Sequence, residues 1–112
     1  MVGHLSLPQI TEKNVPAVLS QEIIQELLRE ELGYQGIIIT DALDMEAVTN
    51  SYSSAQACVL AVKAGADILL MPLDFPAAYQ GLLNAVKNGE ITEERIDESI
   101  RRIVRVKLSK LQ

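Results

Sequence analysis

The sequence predicts a parallel α/β fold that is a piece of a larger sheet or barrel, and three observations carry that expectation. Two apolar runs, Gly36-Ile37-Ile38-Ile39-Thr40-Asp41 and Asp67-Ile68-Leu69-Leu70-Met71, lack the alternation of a half-exposed strand and read as strands covered on both faces. They start about 31 residues apart, close to the length of a βαβ unit, with a helical pattern between them. A shorter apolar stretch at the N-terminus brings the count to three parallel strands, and three strands leave both edges of such a sheet bare.

The elements follow in order. Residues 1–7 form the first apolar stretch, closed by Pro8, and the polar, Pro-punctuated residues 9–19 read as a long loop. Ser20 can cap a helix whose Ile23, Ile24, Leu27, Leu28 and Leu32 recur at helical spacing, with Gly33 as its left-handed stop. After the strand ending at Asp41, residues 42–50 can form a helical turn. Ser53 or Ser54 then caps a helix through Ala55, Cys58, Val59 and Val62 that stops at Gly65. Pro72 closes the next strand. Asp74 can cap a helix over 77–86 that Asn88-Gly89 breaks, and Thr92 caps a last helix with Ile96, Ile100, Ile103, Val104, Leu108 and Leu111 on one face.

Composition narrows the function classes. The 112 residues carry 10 Lys plus Arg against 15 Asp plus Glu, a formal charge of −5 with 48% hydrophobic residues, which describes one domain at most and argues against disorder. An acidic chain repels phosphate backbones, so nucleic acid is not an expected partner. No apolar run approaches the roughly 20 residues of a membrane span. Residues 1–8 have neither a positive region nor a long apolar core and do not read as a secretory signal; the compartment stays open. One cysteine and one histidine supply neither a disulfide nor the usual zinc ligands, so no metal and no cofactor is expected.

Ligands of parallel α/β folds lie outside the carboxyl ends of the strands, which directs attention to Asp41. A carboxylate there has a buried strand behind it and a turn ahead, and can serve as a rigid nucleophile at a pocket floor. The competing reading is that Asp41 caps the turn over 42–48, and the residues alone leave both open. Asp44 and Glu46 are close in sequence, but Asp44 reads as a first-turn acid favouring the helix dipole. His4, near the end of the first strand, can reach the same mouth or serve as a structural group. Met71 and Met45 read as core or pocket wall, and Cys58 as a buried, inert thiol. Gly33-Tyr34-Gln35-Gly36 is a helix stop and turn, and Arg101, Arg102 and Arg105 form a solvated helix face.

At Leu32-Gly33-Tyr34-Gln35-Gly36-Ile37-Ile38-Ile39-Thr40-Asp41-Ala42-Leu43-Asp44-Met45 the chain closely resembles the family 3 glycoside hydrolases, especially their β-N-acetylglucosaminidase branch. The family shows a similar Val-Gly-His or Thr-Ala-His strand upstream and a helix ending Arg-x-Glu-Leu-Gly, here Arg29-Glu30-Glu31-Leu32-Gly33. Downstream, Ala61-Val62-Lys63-Ala64-Gly65-Ala66-Asp67-Ile68-Leu69-Leu70-Met71-Pro72 resembles its last barrel strand and preceding helix, and Ile91-Thr92-Glu93-Glu94-Arg95-Ile96-Asp97-Glu98-Ser99 its closing helix.

The resemblance implies that residues 1–112 are a partial catalytic domain, the C-terminal portion, about three βα units, of a (β/α)8 TIM-type barrel. It places Asp41 where the family has the nucleophile of a retaining hydrolysis of β-glycosides. Ala42 is typical of the N-acetylglucosaminidase branch, whereas many β-glucosidases of the family carry an aromatic there. The implied substrate is a terminal β-N-acetylglucosaminide, as in peptidoglycan fragments, with a β-glucosidase-type activity as the alternative. The branch's acid/base dyad lies on an earlier loop whose Lys-His-Phe-Pro-Gly-His motif is absent here, so His4 is not its equivalent and inherits only a place near the pocket. The implied partners are a carbohydrate and the missing N-terminal part of the barrel, or a second copy, and the fragment alone is expected to be inactive. Two other classes are weighed. A receiver-type phosphoacceptor would need an acidic pair after the first strand and a Lys ending the last, where this chain has His4-Leu5-Ser6 and Met71-Pro72. A non-catalytic remnant would self-associate through the bare edges.

Overall fold

The computed structural model describes residues 1–11 and 14–111. In order they form α1 (Pro8–Thr11), a 3₁₀ turn (Ala17–Leu19), a π-helix (Glu22–Glu31), α2 (Glu46–Thr49), α3 (Ser54–Ala64), α4 (Phe75–Lys87) and α5 (Glu93–Lys110).

Capping side chains set the starts of the three long α-helices, as the sequence suggests. Ser53 and Gln56 bond reciprocally ahead of α3: the Gln56 N–H donates to Ser53 Oγ at 3.1 Å and the Ser53 N–H to Gln56 Oε1 at 2.9 Å. Asp74 accepts from the Ala77 N–H at 3.1 Å and Thr92 from the Arg95 N–H at 3.1 Å. Gly65 ends α3 with φ 124°, and a Cβ there would lie 2.9 Å from Ile24 Cγ2, so both backbone and packing require glycine.

Two helices differ from expectation. The one after Ser20 is wound as a π-helix: the Leu32 N–H reaches back five residues to Leu27 O at 2.9 Å, and Gly33, at φ 67°, lets Tyr34 N–H close on Leu28 O at 3.1 Å. Over 42–50, where one helical turn is expected, helix α2 begins only at Glu46, after a separate turn at Leu43–Asp44.

The three apolar stretches lie side by side in the expected order and sense, but no strand forms among the described residues. Val2 bridges Thr40 and Ile39 bridges Ile68, both parallel, so the 37–41 segment is central. The ladder between the 37–41 and 67–70 segments stops for a visible reason. After Thr40 N–H donates to Ile68 O at 3.0 Å, the next donor, Leu70 N–H, goes to the Thr40 hydroxyl at 2.9 Å instead of to its carbonyl. The first segment turns its other edge to the 3₁₀ turn, accepting from Ala17 at Leu5 O and from Val18 at Gly3 O. The expected parallel α/β layout is therefore present as order and direction, and the strands themselves as isolated bridges.

Ile24, Ile38, Val18, Val48, Thr40 and Cys58 are the largest fully buried side chains. Burial pushes the Cys58 thiol up to about 11, which keeps it protonated and inert near neutral pH. α3 and α4 meet through small residues. A Cβ on Gly81 would lie 2.6 Å from the Ala55 Cβ and 3.2 Å from its Cα. Gly81→Ala gains about 1 kcal/mol in helix propensity but overpacks at a cost of about 1–3 kcal/mol. A lower midpoint in urea unfolding is the expected result, and a higher one would mean that the helices can separate freely.

At the N-terminal end of the 67–70 segment sits a buried charge cluster that the sequence does not announce. Asp67, 0% exposed in its side chain, accepts at Oδ2 from Arg29 Nη2 (2.6 Å) and the Ile38 N–H (2.8 Å). Its Oδ1 accepts from Ser99 Oγ (2.7 Å) and Arg102 Nη1 (2.9 Å). Arg95 adds bonds to Val62 O, Ala66 O and Ser99 Oγ. Burial draws the Arg29 and Arg95 guanidiniums below their ordinary range, with Asp67 opposing it. Arg102 is thus one of the charges that clamp α5 to the sheet segments, whereas Arg101 and Arg105 are solvated as expected.

Candidate active site

At the opposite, carboxyl end of the same segments lie Asp41 and Met71. Asp41 is half-buried and its backbone is held on one side by the first segment, its N–H donating to Val2 O at 2.9 Å. Two residues on, the Leu43 N–H donates to Leu70 O at 2.9 Å, so the chain around Asp41 is tied to both neighbouring segments. Thr40, fully buried, adds its hydroxyl to that tie. Thr40 was not singled out from sequence, although a hydroxyl inside an apolar run directly before a carboxylate is the signal that could have marked it.

Asp41 does not cap the helix that follows it. α2 starts at Glu46 with Met45 at its N-cap, and no side chain caps it. The hydrogen bond that the Asp41 carboxylate makes among the described residues runs from the Ala42 N–H to Oδ1 at 2.8 Å. The carboxylate is therefore oriented by its own turn without being used up in starting a helix. Asp44 and Met45 are exposed, and Glu46, not Asp44, is the acid in the first turn of α2.

His4 Nε2 lies 2.7 Å from Ala42 O, and a carbonyl can only accept, so Nε2 carries the proton and donates. Nδ1 is buried and has no partner among the described residues. Met71 is 56% exposed and has φ 49°, a left-handed conformation that a side chain adopts at an energetic cost and that recurs at ligand sites. The central segment thus brings Asp41 and His4 into one bonded turn. Met71 follows Leu70, which is bonded to Thr40 and Leu43, so it stands at the same end.

A cleft of about 450 Å³ is lined by residues including Tyr52, Gln56 and Leu60, and another of about 470 Å³ by residues including Arg29, Tyr34 and Arg102; neither includes Asp41. Among the described residues no three His, Cys, Asp or Glu side chains converge as a metal site would require, and no helix is long and apolar enough to cross a membrane. What the site offers chemically is a single carboxylate on a turn fixed from both sides, a geometry suited to attack on an electrophilic carbon held above it.

A family model described as the glycosyl hydrolase family 3 N terminal domain matches residues 1–106. Beta-hexosaminidase A of Pseudoalteromonas piscicida is 31% identical, the alignment covering 96% of this chain and 21% of that protein. A beta-N-acetylglucosaminidase/beta-glucosidase of Cellulomonas fimi is 29% identical, covering 97% and 21%. Among solved structures, a family 3 beta-N-acetylglucosaminidase from Paenibacillus sp. str. FPU-7 superposes with a TM-score of 0.86 at 42% identity, over 90% of this chain and 20% of that one. The chain spans about a fifth of the length of the curated relatives it matches.

Proposed function

Because this chain belongs to glycosyl hydrolase family 3, we propose that it carries the nucleophile of a retaining β-N-acetylglucosaminidase, and that this nucleophile is Asp41. The observation that carries the reading is the state of that carboxylate: fixed by backbone bonds on both sides, half-exposed at the carboxyl end of the central segment, and not engaged as a helix cap. In this role a carboxylate oxygen attacks the anomeric carbon from the face opposite the departing oxygen, the glycosidic C–O bond breaks, and a glycosyl ester forms. A proton donor must protonate the leaving oxygen, and water then opens the ester with the same overall configuration.

The proton donor is supplied by residues outside these 112, as are the remaining walls of the pocket. The three bridged segments are, in this reading, consecutive strands of a (β/α)8-type barrel whose other strands cover the exposed edges, and either the preceding part of the barrel or a second copy completes them. His4 and Met71 border the same pocket.

The names of the relatives favour N-acetylglucosaminides, and the dual name of the Cellulomonas fimi enzyme keeps a β-glucosidase activity as the second reading. The test compares chromogenic β-N-acetylglucosaminide and β-glucoside on the enzyme that contains this chain and on the isolated 112 residues. The expected result is turnover by the intact enzyme, with kcat/KM favouring the N-acetyl sugar, and none by the isolated chain, because positioning and proton transfer each contribute large factors. Preference for the glucoside would reassign the substrate, and turnover by the isolated chain would show that these residues or their self-association supply the acid.

A further inference from the structure

We propose that His4 is a positioning residue for the reaction, acting through the Ala42 carbonyl to hold the Asp41 carboxylate in its line of attack. This inference rests on the reading of Asp41 as nucleophile and adds a component to it.

The bonds form a closed bracket. Val2 and His4 stand two apart on an extended segment. Val2 O receives the Asp41 N–H at 2.9 Å and His4 Nε2–H donates to Ala42 O at 2.7 Å, while the Ala42 N–H between them orients the Asp41 carboxylate at 2.8 Å. Both ends of the Asp41–Ala42 unit are thus pinned by one segment. Among the described residues the other donor to Ala42 O is the Met45 N–H at 3.4 Å, a longer and weaker bond. The Ala42 carbonyl shares its peptide plane with the Leu43 N–H, which Leu70 O holds at 2.9 Å, so loss of His4 removes one of the bonds that fix this plane and loosens, at the Ala42 Cα, the adjoining plane whose N–H orients the carboxylate.

Two features separate this from an ordinary core histidine. Its partner is 38 residues away in the sequence and belongs to the residue directly after the candidate nucleophile. Its other ring nitrogen is buried without a partner among the described residues, so within them the Ala42 carbonyl is the contact that fixes the ring. The committed Nε2 also means that His4 contributes through the turn and does not use that atom to grip the sugar.

Glutamine and asparagine distinguish these roles. The side-chain amide nitrogen of glutamine can take the place of Nε2, whereas that of asparagine, one carbon shorter, falls at the position of Nδ1 and does not reach Ala42 O. In the enzyme that contains this chain, His4→Asn is expected to lower kcat about 100-fold, the scale of a small misplacement of a reacting group, with KM within about twofold and an unchanged thermal midpoint. His4→Gln is expected to recover most of the loss. A rise in KM with kcat intact would make His4 a sugar ligand instead, and equal effects of Asn and Gln, or a fall in thermal midpoint with kcat intact, would also overturn the proposal. Asp41→Ala, assayed alongside, keeps the two claims apart: normal turnover there would remove the nucleophile itself, whereas an inactive Asp41→Ala beside an unaffected His4→Asn would remove only the positioning role.

Discussion

Asp41→Ala in the enzyme that contains this chain is expected to reduce turnover on the order of 10⁴-fold or more, as loss of a nucleophile does in enzymes that work through covalent intermediates. The fold should survive it. Among the described residues the carboxylate makes a single bond, to its own neighbour Ala42, and a net hydrogen bond is worth about 1 kcal/mol, so the unfolding midpoint should barely move. Added azide supplies a small anion to the vacated face, and the α-glycosyl azide is the expected product. Unchanged turnover in this variant would place the nucleophile elsewhere.

The largest expected effect on stability is at the other end of the same segments. Asp67→Leu leaves Arg29 buried without its counter-charge and the half-buried Arg102 with Glu98 at 4.0 Å, and it takes the acceptor from the Ile38 N–H and from the Ser99 hydroxyl proton. Removing one partner of a buried ion pair costs about 3–5 kcal/mol. That is a large part of the total stability of a domain, roughly 5–15 kcal/mol, so urea unfolding should show a much lower midpoint or no folded baseline at all. Because the carboxylate is fully buried, added salt should do little to mimic the mutation. A midpoint within about 1 kcal/mol of the parent, the scale of a single exposed pair, would show that the cluster is solvated in solution.

Local chemistry made the helix starts and the place of Asp41 legible. Ser53, Asp74 and Thr92 act on N–H groups three residues away, and such short-range bonds leave their mark in the sequence. The order of the three apolar stretches was legible for a similar reason, since each run is contiguous. What escaped depends on residues far apart. Asp67 reads as an ordinary residue before a strand, and Arg102 as one cation on a charged helix face, because 35 residues separate them.

Other features turn on geometry that residue types do not specify. The left-handed backbone at Met71 belongs to a residue type that seldom adopts it. The Thr40 hydroxyl replaces a carbonyl in the ladder between the 37–41 and 67–70 segments, which holds that pairing to a single bridge. Asp41 itself could not be assigned from propensity, since a cap and a free carboxylate share the same position before a turn, and only the late start of α2 at Glu46 separates them.

The most direct test of Asp41 as a glycosyl-enzyme nucleophile is to trap the intermediate. The enzyme that contains this chain would be inactivated with a fluorinated glycoside that forms the ester quickly and hydrolyses slowly, then digested and its peptides sequenced by mass spectrometry. One added sugar is expected on the peptide that contains Asp41, with the mass shift located on that residue. A label on a different carboxylate, or hydrolysis that proceeds with inversion and leaves no label, would contradict Asp41 as the nucleophile.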